Sequence, residues 1–282
     1  MSAPTTQSVT VVTDSTAYLP DGVAAKYGIV VVPLHVRLGD DEFSEGVDLS
    51  TADFVDWMKK PGRRPMTSQP TPAAFAAAYD DVDAEVVSVH LSSVLSGCFG
   101  GARLASEQTA TTVRVVDSRN VAMGLGFAVI AAAEAAAAGH AIDAVAEAAE
   151  RAAARCRTTF YVDSLDYLRR GGRIGAARTL LGGVLSVKPL LHIVDGEIHV
   201  LERIRTASKA LARLEDVAAL TAGHAQIDLA VQHLAAPDRA AEVADRLRER
   251  IPGVGAVHVS ELGPVVGTHV GPGTVGVVIH HR

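Results

Sequence analysis

The chain has 282 residues and a formal net charge of −6. Its pI near 6.0 argues against nucleic-acid binding, because such proteins normally carry a basic surplus. Apolar residues make up 48% of the chain and aromatic residues only 4%, so any pocket must be lined mainly by aliphatic side chains. The length exceeds that of a typical single domain and predicts two.

The cysteines and the N-terminus predict a cytoplasmic protein. Cys98 and Cys156 are isolated and lack the spacing of a zinc site or a redox motif, which is typical of a reducing compartment. The first residues are polar and contain no apolar core of a secretion signal. The alanine-rich run at residues 128–138 contains Glu134 and is too short to cross a bilayer, so we expect no transmembrane segment.

The first half of the chain alternates apolar runs with helical patterns, which predicts a parallel, doubly wound α/β sheet. Each run is followed by hydroxyl or carboxylate residues, the usual position of ligand groups in such sheets. Ser50, with Asp53 in the capping-box position, predicts a helix that ends before Pro61. The predicted strands cover residues 9–12, 29–34, 85–91 and 113–116, and a small hairpin is expected at residues 37–43.

The segment at residues 64–75 combines hydroxyls, an amide and prolines ahead of an apolar-periodic run. Thr71 is expected to cap a helix whose first residue is Pro72. Thr67, Ser68 and Gln69 are therefore expected on a loop approaching a helix N-terminus, where donors can bind an anion. The alternative is a capped loop whose hydroxyls only satisfy the backbone.

The second half predicts a further α/β domain that contains a β-hairpin. Asp195 and Gly196 form the preferred pair for a tight turn between strands at residues 190–194 and 197–205. This arrangement places His192 opposite His199. Further elements are expected as helices at residues 142–156, 206–222 and 237–250, and as strands at residues 158–162, 227–233, 256–259 and 275–279.

Several familiar chemistries are weakly supported. The chain has neither a P-loop nor the nucleophile-elbow motif of hydrolases, and no motif assigns a base to Ser93 or Ser96. His192 and His199 could begin a zinc site, but the sequence offers no third ligand nearby, so we expect no metal and no cofactor.

Hydroxyls, arginines and one histidine on predicted loops remain as candidate ligand groups. Ser96 precedes Gly97, which allows a ligand to approach the backbone closely. Arginines concentrate on a glycine-broken turn at residues 169–173, which is equally consistent with a solvated helix end. Arg205 is expected on a strand, and His269 lies in a glycine-rich segment predicted to be irregular. Together these groups suit a carboxylate or a phosphate beside aliphatic walls.

The chain resembles the DegV family along nearly its whole length. The matching motifs occur in order: VVTDS at 11–15, TSQP at 67–70, LSSVLSG at 91–97, VVDS at 115–118, LRRGGRI at 168–174, SVKPLL at 186–191, RTASKA at 205–210 and HVGPG at 269–273. The resemblance implies a bacterial fatty-acid-binding protein, similar to the binding subunits of fatty acid kinases. Such a subunit encloses the acyl chain and presents its carboxylate to a separate ATP-dependent kinase for phospholipid synthesis; it is not catalytic alone.

The resemblance also implies roles for individual residues. Thr67, Ser68, Ser93, Ser96, Arg205 and His269 are the expected fatty-acid-binding residues, and Arg170 and Arg173 are expected to couple the head group to the kinase. Cys98 and Phe99 depart from the threonine and tyrosine of many relatives, which puts chain selectivity in doubt.

We therefore predict two α/β domains, residues 1–156 and 157–282, with the ligand between them. The acyl chain is expected in an aliphatic tunnel under the helix at residues 97–104 and the domain interface, with Leu95 and Phe99 as candidate wall residues. The alternatives are an enzyme that uses Ser96 or His269 on a small carboxylated or phosphorylated metabolite, and a lipid-dependent regulator.

Overall fold

The computed structural model describes residues 9–180 and 188–282. Their strands are β1 Val9–Asp14, β2 Val30–Val32, β3 His35–Leu38, β4 Asp41–Ser44, β5 Met66–Ser68, β6 Glu85–His90, β7 Val113–Asp117, β8 Cys156–Tyr161, β9 Lys188–Val194, β10 Glu197–Ile204, β11 Ile227–His233, β12 Val254–Glu261 and β13 Val275–His281. Their α-helices are α1 Val23–Tyr27, α2 Thr51–Met58, α3 Pro72–Asp80, α4 Cys98–Ser106, α5 Met123–Ala137, α6 Ile142–Ala154, α7 Asp166–Arg170, α8 Ala207–Ala222, α9 Pro237–Arg250 and α10 Pro264–Val270.

The first half forms the predicted parallel, doubly wound sheet. Its four strands are ordered β2-β1-β6-β7, and the helix pairs α3–α4 and α5–α6 pack against them. The strands read as continuous apolar runs because both faces of a parallel sheet are covered. The two predicted caps are also present, since the hydroxyls of Ser50 and Thr71 accept the amide protons of Asp53 and Ala74.

A small antiparallel sheet lies beside the parallel one, in the order β4-β3-β5. The predicted hairpin forms β3 and β4, and β5 adds the segment that contains Thr67 and Ser68. The prediction that these two residues lie on a loop is therefore wrong. Backbone pairing with Val36 fixes Thr67 more firmly than a loop would.

The second half forms a six-stranded mixed sheet in the order β10-β9-β8-β13-β11-β12. The predicted hairpin is confirmed, and His192 pairs with His199 across it. Helices α8 and α9 cover one face of this sheet, where Leu190, Leu229 and Val277 are fully or almost fully buried. The opposite face turns towards α5 and the first half of the chain.

Three further local predictions are wrong. Cys156 begins β8 instead of ending a helix, because α6 stops at Ala154. Arg205 lies on a bend after β10, which ends at Ile204. His269 lies on the short helix α10, where Pro264 occupies the first turn.

Some predictions are not tested by these elements. The domain boundary after residue 156 stays a prediction. Strand β8, which belongs to the six-stranded sheet, begins at Cys156, the last residue before this boundary. The polar N-terminus and the start of the SVKPLL motif lie outside the described residues. No helix within the described ranges is long and apolar enough to cross a membrane.

Candidate functional site

A cavity of about 330 Å³ lies between the open face of the six-stranded sheet and the first half of the chain. Its volume falls near the lower end of the range of about 300–1,000 Å³ that is usual for ligand pockets. Most of the wall is aliphatic, and the apolar lining residues are Leu34, Leu91, Leu95, Val121, Ala122, Phe160, Leu168, Ile193, Ile198, Leu262, Val265, Val266, Val270 and Val278.

The sheet side of the cavity has small and polar residues at positions that share one face. Gly276 pairs with both Phe160 and Gln232, and Thr158 pairs with Val278, so all five residues point to the cavity side. The polar atoms here already have protein partners. The Gln232 amide oxygen accepts the Met123 N–H at 2.8 Å, its nitrogen donates to Ser260, and the Thr158 hydroxyl donates to Asn120.

The second group of polar residues lining the cavity comprises Thr67, Ser68, Gln69, Ser96, Arg173 and His269. Thr67 comes from β5 and His269 from α10, and the Thr67 Oγ1 lies 2.9 Å from the His269 Nε2. These two residues are 202 positions apart in the sequence, so only the tertiary fold brings them together.

His269 is held neutral at the cavity wall. Burial, and secondarily the charge of Arg173, lower the pKa of His269 from its ordinary value to about 4. Its Nδ1 is buried and has no hydrogen-bond partner among the described residues. The ring lies against the α-carbon of Gly171, where any side chain would overlap with it. A neutral imidazole with one unused nitrogen can donate or accept one further hydrogen bond, according to its tautomer.

Ser96 lies on the turn between β6 and α4. Its amide donates to the Ser92 carbonyl at 3.0 Å, and its hydroxyl accepts the Cys98 N–H at 3.3 Å. The side chain of Gln69 lies across Gly97, where a β-carbon would overlap with the amide. The glycine therefore permits a close approach between this turn and the segment after β5.

Arg173 supplies the positive charge at this group. Its Nε donates to the Leu95 carbonyl at 3.0 Å, and another guanidinium nitrogen donates to the Gly171 carbonyl at 2.8 Å. Within residues 9–180 and 188–282, no carboxylate forms an ion pair with it. Arg173 also lines a second cavity of about 340 Å³, together with Val94, Gly172, Gly175 and Glu197. The guanidinium thus lies between an inner, aliphatic cavity and an outer, more polar one.

This arrangement fits an elongated apolar molecule with a small anionic end. The aliphatic wall offers burial, which is favourable in proportion to the apolar area removed from water. The hydroxyls and the guanidinium offer hydrogen bonds that a buried anion requires, and the neutral imidazole contacts one of these hydroxyls, that of Thr67. Among the described residues, no group of three or more His, Cys, Asp or Glu side chains is arranged to hold a metal ion.

Sequence comparison places the chain in a known family. The family model described as "Uncharacterised protein, DegV family" matches residues 8–282. A DegV domain-containing protein of Streptomyces coelicolor is 52% identical over 279 residues, which are 97% of this chain and 99% of that protein. The chain belongs to the DegV family.

Solved structures of other DegV proteins have the same fold. One from Thermus thermophilus, described as a fatty acid binding DegV family protein, matches with a TM-score of 0.90 and 32% identity, over 97% of this chain and 99% of that one. DegV of Bacillus subtilis, described as a fatty acid binding protein, gives the same TM-score of 0.90 and the same 32% identity, over 98% and 99% of the two chains.

In this DegV chain, five of the eight predicted site residues line one cavity: Thr67, Ser68, Ser96, Arg173 and His269. The remaining three do not line it. Ser93 is exposed, and its amide donates to Asp117 at 3.3 Å. Arg205 is exposed after the end of β10. The binding roles of all these residues remain predictions.

Arg170 is the third residue outside the cavity. Its guanidinium packs 5.3 Å from the centre of the Tyr167 ring, and its Nε donates to the Asp166 carbonyl. The side chain is 47% exposed, so it is accessible to a partner. Its predicted part in coupling to a kinase is untested.

Sequence reasoning missed the buried network below the site. Asp14 and His90 are fully buried, and the Asp14 Oδ2 lies 3.0 Å from the His90 Nδ1. The same carboxylate oxygen accepts the Leu91 N–H, which fixes the start of the turn leading to Ser96. The sequence indicated that β1 ends in polar residues, but it did not indicate that Asp14 pairs with His90, which lies 76 residues later.

Ser92 was also missed. It is fully buried, and its hydroxyl donates to the Gly196 carbonyl at 2.8 Å. This bond ties the Ser96 turn to the hairpin of the second sheet. The LSSVLSG motif indicated a functional turn, but not which of its hydroxyls is structural.

Proposed function

We propose that this DegV protein binds a long-chain fatty acid, with its acyl chain in the aliphatic cavity and its carboxylate near Thr67, Ser96, Arg173 and His269. The observation that carries the proposal is the guanidinium of Arg173, which has no described carboxylate partner and lies beside a neutral histidine in a mainly aliphatic cavity. The fatty acids named for the Thermus and Bacillus relatives support the same ligand class.

The energetics favour an enclosed site. Burying about fifteen methylenes contributes of order 10 kcal/mol at about 0.8 kcal/mol each. Association costs of roughly 4–15 kcal/mol are subtracted from this gain, so the carboxylate contacts and full enclosure both matter. The scarcity of aromatic residues is compatible with such a wall, because the apolar lining is aliphatic apart from Phe160.

The direct test is native mass spectrometry of the purified protein, combined with extraction and analysis of bound lipids. We expect a co-purifying fatty acid in about one-to-one ratio. A protein that carries no acyl chain and binds none when titrated with a fluorescent fatty acid would contradict the proposal. An empty protein that turns over a small carboxylated metabolite would instead support the enzyme alternative.

We also propose that the bound carboxylate is presented to an ATP-dependent kinase subunit, which forms the acyl phosphate. The support is the position of Arg173 between the inner cavity and the outer one, together with the exposed Arg170 on the adjacent helix α7. This proposal extends the family resemblance and includes the two domains, residues 1–156 and 157–282, on either side of the ligand.

Acyl-phosphate formation with the cognate kinase tests this extension. We expect the Arg170→Ala variant to bind fatty acid normally, because this side chain lies outside the cavity. We expect the kinase to phosphorylate the bound fatty acid slowly, because the variant lacks an exposed arginine of the proposed interface. Arg151→Ala is the matched control, since Arg151 is 60% exposed and its one ion pair within the described residues is local, with Glu147 on α6. Equal transfer rates for both variants would remove Arg170 from the kinase interface.

A further inference from the structure

A buried carboxylate lies at the opposite end of the helix that carries His269. Glu45, which follows β4, is 5% exposed. Its Oε2 accepts the Ser15 hydroxyl at 2.6 Å, and its Oε1 accepts both the Tyr18 hydroxyl at 3.0 Å and the Val265 N–H at 2.8 Å. Burial raises the pKa of Glu45, which the three hydrogen bonds oppose. Such a buried carboxylate is retained only when its oxygens have partners.

Glu45 and Tyr18 together hold the first turn of α10. Glu45 accepts the amide proton of Val265, and the Tyr18 hydroxyl accepts that of Val266 at 3.3 Å. The first amides of a helix have no partner within the helix, so these two side chains satisfy groups that would otherwise be unpaired. Four residues of this helix line the cavity: Val265, Val266, His269 and Val270.

The same glutamate is fixed to the small sheet that carries Thr67. The Glu45 amide donates to the Leu34 carbonyl at 2.9 Å, directly before β3. Strand β3 then pairs with β5, where Thr67 lies opposite Val36. Glu45 is therefore connected to both members of the Thr67–His269 contact, to one through the sheet and to the other through the helix.

The packing around Glu45 leaves little freedom for α10 to shift. A β-carbon at Gly263, the residue before the helix, would overlap with the Glu45 carboxylate and the Tyr18 ring. At the other end, the His269 ring lies against Gly171. The helix is thus fixed at its first turn by a carboxylate and at its last turn by a glycine contact.

We propose that Glu45, assisted by Tyr18, is a positioning residue that sets the spacing between Thr67 and His269 and so determines the preference for a carboxylate head group. Glu45 does not line the cavity and acts through α10 and through the small sheet that carries Thr67. This inference rests on the proposed fatty-acid binding. Loss of the glutamate is expected to affect the head-group contacts while leaving the binding of the acyl chain largely intact.

The test compares Glu45→Gln, Glu45→Ala and Tyr18→Phe with a matched control. Glutamine keeps the volume and one acceptor oxygen, whereas alanine removes every hydrogen bond of the side chain. Glu215→Ala is the control, because Glu215 is also buried at 4% exposure but pairs with Arg246 on the far side of the six-stranded sheet. Melting temperatures record the general loss of stability for all four variants.

The deciding measurement is the ratio of the dissociation constants for a saturated fatty alcohol and for the fatty acid of the same chain length. We expect Glu45→Ala to lower this ratio about tenfold, because a change of this size is typical when one of two residues coupled in a hydrogen-bond network is removed. Glu45→Gln and Tyr18→Phe should lower it less, and Glu215→Ala should leave it unchanged. An unaltered ratio in the Glu45 and Tyr18 variants would overturn the inference, as would an equal loss in the Glu215 control.

A measurement without ligand separates this inference from the proposed function. The ring nitrogen shifts of His269, observed by NMR in the apo protein, should change in Glu45→Gln and Tyr18→Phe but not in Glu215→Ala. If the unmodified protein binds no acyl ligand, the proposed function fails, and these shifts still test the positioning role. Shifts that stay the same in the glutamate and tyrosine variants would contradict it.

Discussion

The two faces of the six-stranded sheet are built by the same strands but are filled differently. One face packs on α8 and α9, and the other packs in part on α5 and in part lines the cavity. On the face covered by α8 and α9, Tyr161, Leu229, Val275 and Val277 form a continuous core. On the other face, the neighbouring positions are Phe160, Gly276 and Gln232, and they line the cavity. Alternation along each strand therefore separates a face that packs into a core from a face that lines the cavity.

The difference lies in the size and chemistry of the side chains. Protein interiors normally pack as densely as organic crystals, so a cavity forms only where the side chains are too small to fill the space between elements. Gly276 is such a position. A β-carbon added there would lie 3.4 Å from the Phe160 β-carbon, which is an ordinary contact, so the glycine leaves space that a larger side chain would fill. The face that lines the cavity therefore has fewer packing contacts than the other face, and it leaves space that a ligand can fill.

The largest expected effect is on the closed face. Leu229→Ala should lower the free energy of unfolding by about 2–5 kcal/mol, because Leu229 is fully buried and its removal leaves a void. Urea denaturation measures the loss. The affinity for a fatty acid and the profile of co-purifying chains should not change, and a changed profile would break the distinction between the faces.

The next effect concerns the polar end of the cavity. Thr67→Ala and Ser96→Ala should each weaken fatty-acid binding by roughly 1.5–3 kcal/mol, the cost of one charge-assisted hydrogen bond in a dry site. Displacement of a fluorescent acyl probe measures the change. Thr71→Ala is the control, because it removes a helix cap at a cost of about 1 kcal/mol of stability but does not line the cavity. If neither of the first two variants loses affinity, the carboxylate lies elsewhere.

A smaller effect is expected from filling the open face. Gly276→Val should shorten the longest acyl chain that is accepted, with a loss of about 0.8 kcal/mol for each methylene excluded. Gly276→Ala, which fits the available space, is the control. Mass spectrometry of the co-purifying lipids gives the chain profile. If the valine variant lowers the melting temperature without changing the profile, this position belongs to the core instead.

By contrast, Ala102 does not line the cavity, although the predicted tunnel was expected near its helix. It is fully buried in α4, where its carbonyl accepts the Tyr79 hydroxyl at 3.4 Å. Leu95 does line the cavity, and Phe99 does not. Short-range patterns indicate that a residue is buried, but they do not indicate whether it faces a packed core or a cavity.

The smallest effect is the pH dependence contributed by His269. Its pKa of about 4 in the folded protein lies below the ordinary value, so the unfolded chain binds the proton first as the pH falls. Stability due to this residue is therefore complete at neutral pH and declines as the pH falls from about 7 towards about 4. Between pH 7.5 and pH 6 the expected decline is about 0.8 kcal/mol. His269→Gln should remove this part of the pH profile of unfolding, and an identical profile would contradict the assignment.

Much of the fold could be predicted because local chemistry and tertiary structure agree. The apolar runs of the first half became the parallel sheet, and Asp195-Gly196 closed the expected hairpin. The failures are short elements that depend on their neighbours. Strand β5 has three residues and pairs, among the described strands, with β3 alone. Helix α10 contains Gly267, which is required because Phe54 and Leu234 approach its α-carbon closely.

The candidate site was predicted mainly through the family resemblance, not through spacing. No local pattern joins Thr67 to His269, and none distinguishes Arg173, which lines the cavity, from Arg170, which does not. The missed groups, Glu45 and the Asp14–His90 pair, are polar residues whose partners lie far away in sequence. A buried carboxylate is visible in a sequence only as one more acidic residue.

The position of β13 has a consequence for how the protein folds. This strand follows every other strand in the described chain, yet it lies between β8 and β11 in the interior of its sheet. It pairs with β8 across more than a hundred intervening residues, and such non-local contacts slow folding because a long loop must close first. Until β13 inserts, β8 and β11 have unpaired edges, which are prone to pairing with other chains. Gly276 and Val278 lie on this strand, so the sheet wall of the cavity is complete only after β13 has inserted.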